Sequence, residues 1–173
     1  MEIYYRHNNI SIRPIEIEDL ETLRNHRNDP DTWMTLTDCR CITYTQQLNW
    51  YNSLKDLYFI ATAHIGQNSL DIGLVRIDEV DHINRSARIG CDVFKNYRNL
   101  GFGSQIFALV VDYCFNQLNT RRLWLLVLET NSIAKHIYEK HGFEVEGVQK
   151  QAIYRNGKYL DYVMMSKIHD STI

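Results

Sequence analysis

Apolar residues occupy almost every position around the stretch from Gly103 to about Gln117, where Ile106, Phe107, Leu109, Val110, Val111, Tyr113, Cys114 and Phe115 leave little polar face. A helix apolar nearly all round has to be packed on nearly all sides, which places this one at the centre of the fold. The following run, Arg122-Leu123-Trp124-Leu125-Leu126-Val127-Leu128, is short and continuous, and predicts a strand covered on both faces and joined to its neighbour by a parallel crossover. Upstream, Leu57 to Ile65 and Leu70 to Val80 predict strands around a turn at Gly66-Gln67-Asn68-Ser69, with a third strand near Ala87 to Phe94, an antiparallel meander. Ile10-Ser11-Ile12-Arg13-Pro14 alternates as a short strand, and Glu18 to Asn28 follows as a helix carrying Leu20, Leu23 and a first turn rich in acid. Further helices are expected over Thr45 to Leu54 and over Asn131 to Lys140, the latter stopped by Gly142, and Asn156-Gly157 marks a hairpin between two strands. The sum is a mixed α/β fold, a mostly antiparallel central sheet of about seven strands flanked by helices.

Composition narrows the setting without naming a function. The chain of 173 residues, 45% hydrophobic, has no repeat or Pro/Gly/Ser linker, so residues 1–173 are read as a single domain. A formal net charge of -2 supplies no basic field, and no nucleic-acid partner is expected. No segment approaches the roughly 18 continuous apolar residues of a membrane span, and Met1 to His7 lack an apolar core, so a cytoplasmic protein with no membrane partner is expected. Cys39, Cys41, Cys91 and Cys114 form no CxxC pair, and the seven histidines form no HExxH; no metal is expected.

The chemistry starts at Arg98-Asn99-Leu100-Gly101-Phe102-Gly103-Ser104, immediately ahead of the apolar helix. A helix start leaves backbone N–H groups unpaired and carries partial positive charge, so a glycine turn that admits close approach makes an anion site suited to a diphosphate. A Walker A loop would need Gly-Lys-Ser/Thr where the chain has Gly103-Ser104-Gln105. A dinucleotide fingerprint would need a third glycine at Ile106.

What remains, Arg-x-x-Gly-x-Gly between a strand and a helix, resembles the acetyl-CoA pyrophosphate loop of the GCN5-related N-acetyltransferases, in a branch similar to ribosomal-protein and amino-sugar N-acetyltransferases. The resemblance extends over most of the chain, through Ile12-Arg13-Pro14-Ile15, Asp71-Ile72-Gly73, Ala87-Arg88-Ile89-Gly90 and the run from Asn131 to Phe143. It implies acetyl-CoA as donor, with its pantetheine arm between two splayed parallel strands ending near Phe94 and Glu129. Asn131, Ala134 and Tyr138, spaced by three and four, would lie on one helical stripe rising about 10 Å.

The resemblance further implies direct attack by a primary amine, without an acetyl-enzyme. Backbone N–H groups near Asp92, Val93 and Phe94 would polarise the carbonyl, and Tyr138 would protonate the leaving thiolate. Residues Arg98 to Ser104, with Asn131 and Ala134, would hold the cofactor, Arg98 pairing with its pyrophosphate. A proton acceptor is not singled out: Glu129, Asp92 and Glu79 all stand near strand ends, and Glu129 is carried forward as the catalytic choice. Cys91 alternates with Ile89 and Val93 and reads as core, not as an acyl carrier.

The acceptor is expected to meet Arg27, Asn28, Trp33, Met34 and Trp50. The mix of arginines, aromatics and carboxylates between Glu21 and Tyr51 favours a small-molecule amine, with a nucleotide-linked amino sugar ahead of protein N-termini and polyamines. A non-catalytic acyl-CoA sensor is the reading from another class. A homodimer through the C-terminal strands is also expected.

Overall fold

The computed structural model describes residues 3–169 and contains one eight-stranded sheet in the order β1-β2-β3-β4-β5-β6-β8-β7. The strands are β1 (Tyr5–His7), β2 (Ile10–Pro14), β3 (Leu57–Ile65), β4 (Asn68–Asp81), β5 (Ser86–Val93), β6 (Arg122–Leu128), β7 (Glu144–Arg155) and β8 (Lys158–Ile168). The helices are α1 (Leu20–Asn28), α2 (Pro30–Trp33), α3 (Tyr44–Asn52), α4 (Phe102–Asn116) and α5 (Ser132–Lys140). Short β1, paired with β2 from Tyr5↔Ile12 to His7↔Ile10, is the strand beyond the expected number.

Among the described residues β5–β6 is the one parallel pair, and it is brief: Ser86↔Arg122, Ala87↔Leu123 and Arg88↔Trp124. Beyond Arg88 the two strands part, β5 running on to Val93 beside β4 and β6 running on to Leu128 beside β8. The splay leaves the backbone of both strand ends unpaired on the facing sides.

Helix α4 fills one side of the sheet with eight buried residues, as its all-round apolar pattern requires. Fully buried Phe107 is ringed by Tyr138, His141 and Phe143, which couples α4 to α5 at its back. On the opposite side Leu20 and Leu23 of α1 pack with Ile60, Leu74 and Phe94, and Trp50 of α3 closes this second cluster. Strand β6 is covered less than its apolar run suggested: Leu123, Leu125 and Val127 are buried, while Trp124 and Leu126 are half-buried on the other face. The hairpin turn falls on Asn156 and Gly157, whose φ of 48° and 79° suit the primed turn that a twisted hairpin prefers. Among the described residues no helix is long and apolar enough to cross a membrane.

Candidate active site

The glycine turn begins α4 with Gly101 in the left-handed region, φ 80°, where a residue with a Cβ is strained. No side chain caps this helix, so the N–H groups of its first turn are left for an anion. Gly103 serves packing instead. A Cβ there would lie 3.3 Å from Ile137 Cδ1 and 3.6 Å from Val93 Cγ2, so its absence lets α4 close against α5 and β5.

Between these parts lies a cavity of about 240 Å³ lined by Val93, Arg98, Gly103, Asn131, Ala134 and Tyr138, among others. Asn131 is the N-cap of α5, not its first helical residue, and its Oδ1 accepts from Ala134 N–H at 3.1 Å. The cap spends the side-chain oxygen and leaves the amide NH2 to donate. Phe94 N–H donates to Ile72 O at 2.8 Å, so by the alternation of a strand Asp92 N–H also faces β4. Of the three amides expected to polarise a carbonyl, Val93 N–H is the one directed into the splay. Arg98 is committed inward, donating to Thr32 Oγ1 at 2.6 Å and Val93 O at 3.2 Å, with Asp29 Oδ2 at 3.6 Å. Asn99, with φ 62°, and Leu100 are exposed on the turn; Ser104 Oγ meets His141 Nε2 at 3.0 Å.

A second cavity, about 280 Å³, lies on the α1 and α3 side and is lined by Arg27, Asp38, Trp50, Tyr58, Arg76 and Asp92 among others. The two cavities share His26 and Asp92. A third, about 290 Å³, joins Tyr138 to Arg27, Arg76 and Tyr58. Trp50 stands edge-on to Tyr58 at 5.2 Å. Arg27 donates to Asp38 O, while both amide atoms of Asn28 grip the backbone of Ile42 at 2.9 Å, so these side chains fasten the 34–43 loop over the cavity. Trp33 and Met34 are half-buried, and neither lines any of these three cavities.

Electrostatics separate the carboxylates. Burial would raise the Asp92 pKa, yet the Arg76 guanidinium, 2.7 Å away, pulls it well below the usual carboxylate range, so Asp92 stays charged. Glu129 is exposed and accepts the Asp161 N–H at 2.9 Å, an anchor between β6 and β8 outside all three cavities. Glu79 is exposed beside Arg88 at 3.1 Å. Burial, reinforced by Cys91 and Asp92, drives the Tyr138 hydroxyl upward, so it holds its proton. The same burial pushes the Cys91 thiol up to about 12, which keeps it from serving as a thiolate.

The arrangement of a bare helix start, a parted parallel pair and a tyrosine at their meeting point coincides with a sequence match: the family described as acetyltransferase (GNAT) domain matches residues 9–144. The chain belongs to the GNAT family of acetyltransferases. It is 28% identical to spermidine N(1)-acetyltransferase of Escherichia coli, over 90% of this chain and 84% of that protein. It is also 28% identical to an L-amino acid N-acetyltransferase of Escherichia coli, over 92% of this chain and 98% of that one. Its fold matches spermidine N-acetyltransferase from Vibrio cholerae, solved in complex with CoA and spermine, with a TM-score of 0.86, 25% identity and coverage of 94% and 96%. This GNAT chain is therefore an N-acetyltransferase that uses acetyl-CoA, which supplies the acetyl group as a thioester when bound. Among the described residues no group of three or more His, Cys, Asp or Glu is disposed to hold a metal ion.

Three cavity residues were not singled out by the sequence reading, His26 being noted there only among the mixed charges of the acceptor segment. Arg76, 16 residues from Asp92, meets it across β4 and β5, and Tyr58 comes from β3. His26 extends the buried stripe of Leu20 and Leu23 by one more step of three, and a titratable residue on an apolar stripe is the signal that could have found it.

Proposed function

We propose that this GNAT enzyme acetylates the primary amine of a small molecule by direct attack, and that the acceptor is a polyamine. The observation that carries the reading is the sharing of His26 and Asp92 between the donor-side and acceptor-side cavities, with Tyr138 on the donor side. First-turn N–H groups of α4 would hold the diphosphate, the Asn131 amide would donate to the pantetheine arm, Val93 N–H would polarise the carbonyl, and Tyr138 would protonate the departing sulfur. With its thiol protonated, Cys91 supports a route without an acetyl-enzyme.

The spermidine-acetylating relatives favour a polyamine over the nucleotide-linked amino sugar placed first from sequence. Asp92 and Asp38, whose carboxyl Arg40 holds down at about 2, line the cavity as two carboxylates, each already paired with an arginine, so the cavity itself is of mixed charge and the polyamine reading leans on the relatives. One feature supports an amine that also carries an anion, such as an amino acid or amino-sugar nucleotide: Arg27 lines the same cavity and keeps a buried Nη1 without a hydrogen-bond partner. Mass spectrometry after incubation of acetyl-CoA with spermidine, L-amino acids, nucleotide amino sugars and N-terminal peptides tests both. One acetyl group on spermidine is expected; acetylation of an anionic amine with spermidine untouched would overturn the polyamine reading. Self-association through exposed edge strand β7, with Val145 and Val148 facing solvent, is part of the proposal and is checked by light scattering.

A further inference from the structure

His26 stands where the two cavities meet, with one ring nitrogen beside a hydroxyl and the other without a hydrogen-bond partner. Its side chain is 7% exposed. Nδ1 lies 3.5 Å from Thr32 Oγ1, whose own hydrogen is directed to Asp29 Oδ2 at 3.3 Å and which already accepts from Arg98 at 2.6 Å. A hydroxyl has one hydrogen and two lone pairs, so with its hydrogen on Asp29 and one lone pair on Arg98 we assign the imidazole proton to Nδ1, where it meets the remaining lone pair. Nε2 is then a bare acceptor, buried and without a hydrogen-bond partner, facing Asp92 Oδ2 across 3.7 Å.

Two acceptors facing each other with no proton between them call for a donor. Their separation is too long for a direct hydrogen bond, yet a single ammonium nitrogen could lie about 2.8 Å from both once the side chains that cover Nε2 part to admit it. The edge of the Phe94 ring packing against His26, with centroids 5.1 Å apart, fixes the imidazole plane.

We propose that His26 is the proton acceptor of the transfer, its Nε2 and Asp92 Oδ2 together receiving the ammonium group of the acceptor. This rests on the primary-amine reading above. Of the three ammonium protons, one passes to His26 Nε2 and on to solvent, freeing the electron pair that forms the N–C bond as the C–S bond breaks. A second remains in the amide. The third replaces the proton that Tyr138 gives to the sulfur. Asp92 is held as an anion by Arg76, so it orients and attracts the ammonium while the imidazole takes the proton.

The test uses the full-length enzyme with His26→Gln and His26→Ala. With the amine that the mass-spectrometric panel shows to be acetylated, His26→Gln should lower kcat about 100-fold and leave the KM for acetyl-CoA within about twofold. Free imidazole should restore at least about tenfold of the lost rate to His26→Ala and nothing to His26→Gln. Independently of turnover, nitrogen NMR of wild-type enzyme without acetyl-CoA should show the His26 Nε2 resonance shifting saturably with propylamine. A kcat for folded His26→Gln within about twofold of wild type, absence of imidazole rescue, or an Nε2 resonance indifferent to propylamine would each overturn the assignment. If no amine in the panel is acetylated, the acceptor reading fails, and the propylamine titration still decides the role of His26.

Discussion

Gly73 on β4 faces Val93 on β5, and substituting it with alanine should damage catalysis from outside both cavities. A Cβ at position 73 would lie 2.2 Å from the Asp92 carbonyl oxygen and 3.1 Å from Ile106 Cδ1. Real Cβ contacts stay beyond 3.0 Å, so backbone or side chain has to shift by at least 0.8 Å. Neither wall yields readily, because one is main chain in a ladder and the other is a fully buried side chain of α4. Overpacking of this kind costs about 1–3 kcal/mol, which for a chain of this length lowers Tm by roughly 2–12 °C. The displaced atoms include those that position Val93 N–H and the Asp92 carboxylate, and an error near 1 Å in such groups costs as much as about 100-fold in rate. Differential scanning fluorimetry and steady-state kinetics of Gly73→Ala read both effects, with Gly147→Ala, which meets nothing within 4 Å, as the control. A Tm within about 1 °C and kcat within about twofold of wild type would refute the claim that this close approach sets the geometry of the site.

Tyr138→Phe keeps the ring against Phe107 and removes the hydroxyl, so kcat should fall about 100-fold with the KM for acetyl-CoA little changed, as measured by thiol release. Glu129→Gln should leave kcat within about twofold, because that side chain accepts a backbone N–H at the β6–β8 edge and lines none of the three site cavities. Phe107→Ala should cost about 3–5 kcal/mol in denaturant unfolding, the usual loss for a fully buried aromatic. Arg76 depresses the folded-state pKa of Asp92, so the pair's stabilisation is complete above the ordinary carboxylate range near pH 4 and fades as pH falls toward the depressed value. The stability gap between wild type and Asp92→Asn, followed by urea unfolding, should therefore narrow below about pH 4.

Local chemistry made the turns and helix starts of the proposed donor half legible from the sequence. Gly101, the uncapped start of α4 and the four-residue step from Ala134 to Tyr138 all depend on neighbours within a turn or two, whereas Asn131, read as the first helical residue, proved to be the N-cap. The acceptor half depends on register and tertiary closure. The Arg76–Asp92 pair exists because Leu74↔Asp92 and Arg76↔Gly90 set those two strands side by side, and nothing local to either residue announces it. Arg98 reads from sequence as a phosphate ligand, but α2, a short helix with Pro30 in its first turn, brings Thr32 and Asp29 to its guanidinium. Glu129 follows the end of a strand as expected, yet the bulged edge of β7 and β8 draws its carboxylate to Asp161 N–H. Strand β1, three residues long, carries too few positions to show a period.

The central claim is that the donor enters between β5 and β6 and meets the acceptor at His26, Asp92 and Tyr138. A crystal structure of the enzyme with CoA bound tests it most directly. The diphosphate should lie on the N–H groups at the start of α4, the pantetheine amide within hydrogen-bond reach of Asn131, and the sulfur within about 4 Å of the Tyr138 hydroxyl. A diphosphate away from the Gly101 turn, or a sulfur pointing away from Tyr138, would contradict it.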